Sequence, residues 1–72
     1  MSKLEQLVLQ YDINSTDYDM RTALHLSAAE GHLDTVKWLL NNGANQLLTD
    51  RYGNTPRKDA ERGGYKNIVD LL

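Results

Sequence analysis

The sequence predicts an all-α fold in which short helical units stack on one another as a solenoid. Three observations support this class: an internal repeat of 33 residues, a Thr before and a Gly after the first helix of each unit, and a broad apolar arc on the second helix. A fixed period of this length is typical of repeat architectures. A shift by 33 residues aligns five identical pairs: Asp17 with Asp50, Thr22 with Thr55, Gly31 with Gly64, Val36 with Val69, and Leu39 with Leu72.

The first helix is predicted over residues 23–30, a segment rich in small side chains. Thr22 directly precedes it, and a Thr hydroxyl at this position accepts a hydrogen bond from an otherwise unpaired amide of the first turn. Gly31 follows it and supplies the left-handed residue that closes many helices. Residues 14–21 and 46–54 carry Asn, Asp, Thr and other turn-forming types, so the sequence predicts turns before each unit.

The second helix is predicted over residues 33–42 and ends before Gly43. At about 100° per residue its apolar side chains form one stripe, which further side chains widen. A wide apolar arc predicts a helix that packs on its partner helix and also on a neighbouring repeat. Trp38 is expected to pack between repeats, and the alternative is that it anchors an interface with a partner, because Trp is enriched in binding hot spots. The arc consists of Leu33, Val36, Leu39 and Leu40, extended by Thr35 and Trp38.

The second unit follows the same pattern of helix starts and stops. Thr55 stands before Pro56, and proline is favoured at the first position of a helix. Gly63 and Gly64 end this helix, and residues 65–72 begin another. The second unit therefore repeats the helix pair of the first.

Composition excludes several classes of protein. The chain has 72 residues, a net charge of −2 and no Cys. A nucleic-acid-binding surface needs clustered basic residues, and a disulfide scaffold needs Cys. No apolar run approaches the roughly 18 residues of a membrane span. The first residues lack the apolar core of a signal peptide, so we expect an intracellular protein.

No constellation of reactive side chains predicts catalysis or metal binding. His25 and His32 lie seven residues apart across a Gly, which does not fit a His-x-x-x-His metal pair. Asp17 and Asp19 could begin a calcium loop, but the sixth and twelfth positions of that loop lack the required Gly and Glu. Ser27 has no base at a suitable spacing. We therefore expect no catalytic site, metal site or cofactor.

Residues 22–32, Thr-Ala-Leu-His-Leu-Ser-Ala-Ala-Glu-Gly-His, resemble the signature of the ankyrin repeat, a Thr-Pro-Leu-His-x-Ala-Ala helix closed by Gly-His. Residues 33–45 are similar to the second helix and exit loop of that repeat. The resemblance covers residues 17–72 and implies an ankyrin-repeat solenoid fragment. It also implies that His25 hydrogen-bonds near Thr22 and that His32 ties down the turn.

A narrower resemblance concerns residues 17–25 and 50–56, which look like the ankyrin segment at the C-terminal end of glutaminases. Similar Asp-Tyr-Asp stretches occur in ankyrin segments of some asparaginases, plant kinases and channels. The resemblance therefore leaves the parent protein open. These residues contain no glutaminase catalytic domain, so no activity follows from the likeness.

The repeat register divides the chain into three units. Residues 1–16 are predicted to be the tail of a preceding partial repeat, residues 17–49 a full repeat, and residues 50–72 a C-terminal, capping-like partial repeat. Two departures from the family pattern stand out. Met20 occupies a turn position that usually holds Gly, and Arg57 and Lys58 replace the expected Leu and His. A polar outer face of this kind suits a terminal repeat.

The resemblance implies a non-catalytic protein-protein interaction module within a larger protein, with a protein partner of unknown identity and no nucleic-acid or membrane partner. The alternative is a structural or assembly element that stacks on itself through unfilled repeat ends, or on a parent enzyme such as a glutaminase. Exposed apolar faces larger than a few hundred Å² favour such stacking. The expected location is cytoplasmic, or mitochondrial if the glutaminase likeness reflects the parent protein.

The predicted partner-binding positions lie on the turn tips and on the exposed side of the first helices, as in ankyrin repeats. They mix aromatic and Arg side chains with carboxylates, a combination suited to recognition. For each of them the alternative is ordinary solvated surface. In the first unit they are Tyr18, Asp19, Arg21, Ala29 and Glu30, and in the second Arg51, Tyr52, Asn54, Arg62 and Gly63.

Overall fold

The computed structural model describes residues 13–72, which form four helices in two consecutive pairs. The tail predicted over residues 1–16 lies mostly outside the described residues. The described residues contain no strand, so the predicted all-α class is confirmed. The helices are α1 (Ala23–Glu30), α2 (Leu33–Asn41), α3 (Pro56–Gly63) and α4 (Lys66–Leu71).

The first helices of both units begin and end as the sequence predicts. The hydroxyl of Thr22 accepts the backbone N–H of His25 at 3.3 Å, and Nδ1 of His25 accepts the backbone N–H of Thr22 at 3.1 Å. This reciprocal pair is a capping box. At the start of α3 the hydroxyl of Thr55 accepts the backbone N–H of Lys58 at 3.3 Å. Gly31 and Gly64 close α1 and α3 in the left-handed conformation.

The second helices are slightly shorter than predicted. α2 ends at Asn41 rather than at residue 42, because the backbone of Asn42 has left the helical conformation and its Nδ2 donates to the carbonyl of Trp38 at 2.8 Å. α4 begins at Lys66 rather than at residue 65, because the backbone of Tyr65, with φ of −90° and ψ of 76°, is not helical and precedes the first turn. Each difference is a single residue, and local sequence defines helix ends only to within one or two residues.

The turns that precede α1 and α3 share one hydrogen-bond pattern. Oδ1 of Asp17 accepts the N–H groups of Asp19 at 2.9 Å and of Arg21 at 3.0 Å. Oδ1 of Asp50 accepts the N–H groups two and four residues onward, both at 2.9 Å. Met20 has φ of 61°, the left-handed conformation that costs a non-Gly residue on the order of 1 kcal/mol. Asp17 and Asp50 thus each hold one of the predicted turns through a carboxylate oxygen.

The core lies between the two helix pairs, and the second pair covers the first. Val36 and Leu39 are fully buried on α2, as the apolar arc predicts. Their counterparts one repeat later, Val69 and Leu72, are only half-buried. The apolar side chains of the second helix are therefore covered in the first unit, whereas the equivalent side chains of the second unit form a partly accessible edge, which we call the open edge. The buried apolar residues are Leu24, Ala28, Val36, Leu39, Ala60 and Ile68, and Trp38 packs against them from the rim.

The ring of Tyr65 lies between the ends of the two first helices. A Cβ atom added to Gly31 would approach one edge of this ring to 2.5 Å, and a Cβ added to Gly63 would approach the opposite edge to 2.5 Å. The ring therefore has no room to move away from either glycine without meeting the other. Gly63 permits this packing by having no side chain, although glycine weakens a helix by roughly 0.5–1 kcal/mol relative to Ala.

We predict that Gly63→Ala destabilises the fold although it improves helix propensity. Overpacking of a filled site costs about 1–3 kcal/mol, which outweighs the propensity gain of about 0.5–1 kcal/mol. Urea unfolding followed by circular dichroism measures the free energy of unfolding. In a Tyr65→Ala background, where the ring is absent, the same substitution should stabilise. An increase in stability in the wild-type background would show that the ring is not confined.

Candidate functional site

Three of the predicted partner-binding residues meet at the tips of the turns. The guanidinium of Arg51 lies 5.8 Å from the centroid of the Tyr18 ring, and its Nη2 donates to the carbonyl of Tyr18 at 2.8 Å. The backbone N–H of Arg51 donates to the carbonyl of Asp19 at 2.9 Å. We call Tyr18, Asp19 and Arg51 the tip cluster. It connects the two turns, because Arg51 of the second turn binds the backbone carbonyls of Tyr18 and Asp19 in the first.

The tyrosines at the turns are the most accessible aromatic groups among the described residues. Tyr18 is 89% exposed and Tyr52 is 72% exposed. Their backbones are nevertheless held, since the N–H of Tyr52 donates to Oδ1 of Asp50 and the carbonyl of Tyr18 accepts from Arg51. Exposed rings on fixed backbones lose little conformational entropy on contact with a partner.

A second group of predicted residues surrounds a buried carboxylate. Nη2 of Arg21 lies 3.0 Å from Oδ2 of Asp59, and Nη2 of Arg62 lies 3.2 Å from Oδ1 of the same residue. The Asp59 side chain is 1% exposed, while those of Arg21 and Arg62 are 21% and 62% exposed. We call these three residues the arginine–aspartate cluster. Arg21 comes from the first repeat and the other two residues lie on α3, so the cluster also joins the repeats.

The sequence did not single out Asp59, although a signal was available. Its counterpart in the first unit is Leu26, which is partly exposed, and a carboxylate at this position departs from the repeat. Arg62 follows Asp59 by three residues, a spacing at which side chains on a helix are neighbours. The contribution of Arg21 could not be read from the sequence, because 38 residues separate it from Asp59.

The remaining predicted residues have more local surroundings. Oε2 of Glu30 lies 3.1 Å from Nε2 of His32, and both side chains are exposed. Ala29 is half-buried on α1, and Gly63 faces the ring of Tyr65. Asn54 contributes through its backbone, since its N–H donates to Asp50 and its carbonyl contacts the ring of His25. The structure brings none of these four residues into the tip cluster or the arginine–aspartate cluster.

His25 is completely buried and spans the boundary between the repeats. Its Nδ1 accepts the N–H of Thr22 at 3.1 Å, as the family resemblance implies, and its Nε2 lies 2.9 Å from the carbonyl of Asn54. A backbone N–H can only donate and a carbonyl can only accept, so the neutral ring carries its proton on Nε2. The ring serves as a link in the core.

Asp50 is the described residue whose ionisation the fold clearly shifts. The N–H of Asn54 is the largest cause that lowers the pKa of this carboxyl, and the N–H of Tyr52 and the positive charge of Arg21 lower it further. Burial raises the pKa and opposes these effects. The pattern is that of a structural turn carboxylate that is held in its charged form.

Residues 13–72 contain no group of three or more His, Asp or Glu side chains arranged to hold a metal ion. Within the same range no helix has the length and apolar character needed to cross a membrane.

The family described as ankyrin repeats (3 copies) matches residues 2–72. The mitochondrial liver isoform of glutaminase from Rattus norvegicus is 47% identical over 62 residues, which are 85% of this chain and 10% of that protein. The potassium channel KOR1 of Oryza sativa subsp. japonica is 44% identical over 61 residues, 85% of this chain and 7% of that protein. The serine/threonine-protein kinase VIK of Arabidopsis thaliana is 42% identical over 60 residues, 83% of this chain and 14% of that protein.

These matches confirm the resemblance to ankyrin repeats and to the ankyrin regions of glutaminases, plant channels and a plant kinase. The chain spans between 7% and 14% of the length of these three relatives. Their names describe three unrelated activities. What these three relatives have in common with this chain is the ankyrin region.

We predict that Asp50→Asn lowers stability at neutral pH and that its effect diminishes in acid. Asn keeps the accepting oxygen of the turn but loses the charge. Because the native pKa of Asp50 is lowered, its carboxylate stabilises the fold above about pH 4, the pKa of an unfolded Asp, and this contribution is lost as the pH falls through the native pKa. Urea unfolding of both proteins from neutral pH downward measures the difference.

Asp17→Asn is the matched control for Asp50→Asn, because Asp17 holds the equivalent turn in an exposed position. The difference in unfolding free energy between wild type and Asp50→Asn should shrink as the pH falls. A difference that stays constant with pH would contradict a stabilising charge at Asp50.

Proposed function

The chain belongs to the ankyrin repeat family, and we propose that it is a non-catalytic protein-interaction module of a larger protein. Ankyrin repeats generally serve in protein recognition, and their stacked units create extended binding surfaces. The similar glutaminase, channel and kinase each contain such a region within a much longer chain. This supports a role that is independent of any one activity.

The observation that carries the proposal is the pair of exposed tyrosines at the turn tips. Tyr and Arg are enriched in binding hot spots, and Tyr18, Tyr52 and Arg51 stand together on two consecutive turns. Burial of an exposed aromatic ring against a partner contributes favourable binding free energy. We therefore propose that the partner contacts the turn tips first, together with neighbouring positions on the first helices.

The proposal that the module is non-catalytic rests on what the polar groups already do. Asp50 holds a turn, His25 links two repeats, and Asp59 is enclosed by two guanidinium groups. Each of these groups has a structural partner, whereas a general acid or base must be free to reach a substrate. An intracellular setting is part of the proposal and is supported by the mitochondrial location in the name of the rat glutaminase.

A second candidate function, assembly through stacking, is favoured by the open edge of the second unit. Val69 and Leu72 are half-buried where their counterparts Val36 and Leu39 are fully covered. The adjoining face of α3 is polar, since an open cleft there is lined by Thr55, Arg57 and Lys58, among others. Stacking of another repeat would cover the apolar edge and would have to accommodate these charges.

We predict that Tyr18→Ala and Tyr52→Ala each weaken peptide binding at least about fivefold, since hot-spot truncations cost more than about 1 kcal/mol. The probes are peptides selected from a random twelve-residue display library on the wild-type chain. Leu47→Ala is the matched control, because Leu47 is 77% exposed and lies outside the predicted surface. Unchanged affinity for both tyrosine variants would overturn the assignment of the turn tips.

We predict that the urea midpoint of the chain does not depend on protein concentration over a hundredfold range. A recognition module that folds alone shows this behaviour, whereas stacked copies gain about 1.4 kcal/mol for each tenfold rise in concentration. Circular dichroism at each concentration measures the midpoint. A rising midpoint that Val69→Asn abolishes would favour the assembly function instead.

A further inference from the structure

We infer that the arginine–aspartate cluster is a subsite for a carboxylate side chain, an Asp or Glu, on the protein partner. This inference rests on the proposed interaction function and adds the chemistry of one partner group. Arg62 is the residue that contacts the partner directly, and Arg21 and Asp59 position it.

The first argument is the charge balance of the cluster. One carboxylate faces two guanidinium groups, so the cluster keeps one positive charge within a chain whose net charge is −2. Both oxygens of Asp59 are already occupied, each by a different arginine. A guanidinium has five N–H donors, and Asp59 accepts from one donor of each. The cluster therefore holds more donors than its own carboxylate can accept from.

The second argument is an incompletely satisfied donor. Nε of Arg21 is buried and has no hydrogen-bond partner among the described residues. This nitrogen is out of reach of a partner, and it shows that Asp59 does not satisfy all the donors of Arg21. The guanidinium of Arg62 is the accessible part, since its side chain is 62% exposed and that of Arg21 is 21% exposed.

The third argument is preorganisation. Asp59 holds Arg62 from three residues away on the same helix, and Arg21 braces Asp59 from the preceding repeat. An arginine that is already oriented loses less rotamer freedom when it binds, and its planar fork matches the two oxygens of a carboxylate. Bidentate pairs of this type are among the stronger hydrogen-bonded contacts in proteins.

Apart from Asp59, the acidic groups of the first helices are engaged elsewhere. Glu61, next to Arg62 in sequence, lies 3.4 Å from Nε of Arg57, and Glu30 lies 3.1 Å from His32. Neither of these glutamates pairs with Arg62, so the extra positive charge of the arginine–aspartate cluster is left for a carboxylate from outside the described residues. A cationic partner group would be repelled, and an apolar group would cover the guanidinium without satisfying its donors.

The test uses the random twelve-residue display library on three chains: wild type, Arg62→Gln and Arg57→Gln. Arg57→Gln is the matched control, because it removes the same charge from the same helix but at a residue outside the cluster. We expect peptides selected on wild type and on Arg57→Gln to be enriched in Asp or Glu at one position, and those selected on Arg62→Gln to lose that enrichment. Urea unfolding checks that both variants are folded.

A selected peptide then tests the pair directly. Replacement of its enriched Glu or Asp by the corresponding amide should weaken binding to wild type about tenfold. The same replacement should hardly change binding to Arg62→Gln, because that variant already lacks the guanidinium with which the carboxylate pairs. Arg62→Lys, which keeps the charge but not the planar fork, should recover part of the tenfold loss.

The possible failures are distinguishable. If wild type selects peptides without acidic enrichment, or if Arg62→Gln keeps that enrichment, the carboxylate subsite is wrong and the interaction function stands. If wild type selects no peptides at all, the interaction function itself fails and the subsite fails with it. An equal loss of enrichment on Arg57→Gln would show a long-range charge effect and would also overturn the subsite.

Discussion

The hydrogen bonds of one buried histidine connect the two repeats. His25 accepts from the N–H of Thr22 at the start of its own helix and contacts the carbonyl of Asn54 in the next turn. The same turn is fixed on its other side by Asp50, whose carboxylate accepts the N–H of Asn54. A helix start, an inter-repeat contact and a turn are thus coupled through one ring. Because the ring is fully buried, loss of any of these bonds leaves a polar group unpaired in the core.

This coupling explains why the two units differ although they share a period. In the first unit Val36 and Leu39 are fully covered. In the second unit Lys58 takes the place of His25 and reaches toward solvent. The outer side of α3 is therefore charged while the edge of α4 remains partly apolar. That mixture suits a face on which a further, partly polar surface packs.

The side chains available for recognition are set by what the repeats need for themselves. Arg21 and Asn54 are among the positions predicted for partner contacts, yet Arg21 pairs with Asp59 and the backbone of Asn54 completes the network of His25. By contrast, the side chains of Tyr18, Tyr52 and Arg62 are largely exposed. Recognition is therefore proposed to fall on a smaller set than the repeat pattern by itself indicates, with aromatic rings at the turns and a guanidinium on α3.

The sequence by itself determined the local structure, because Thr caps, closing glycines and turn carboxylates act within four residues of one another. The first helix of each unit, its Thr start and its glycine end, the paired turns of Asp17 and Asp50 and the buried arc of α2 all follow from such short-range rules. Only the tertiary structure decided the contacts across repeats. The ion pair of Arg21 with Asp59 joins residues that are 38 positions apart. The ring of Tyr65 packs between two glycines, one of them in the other repeat, and no local pattern describes that space.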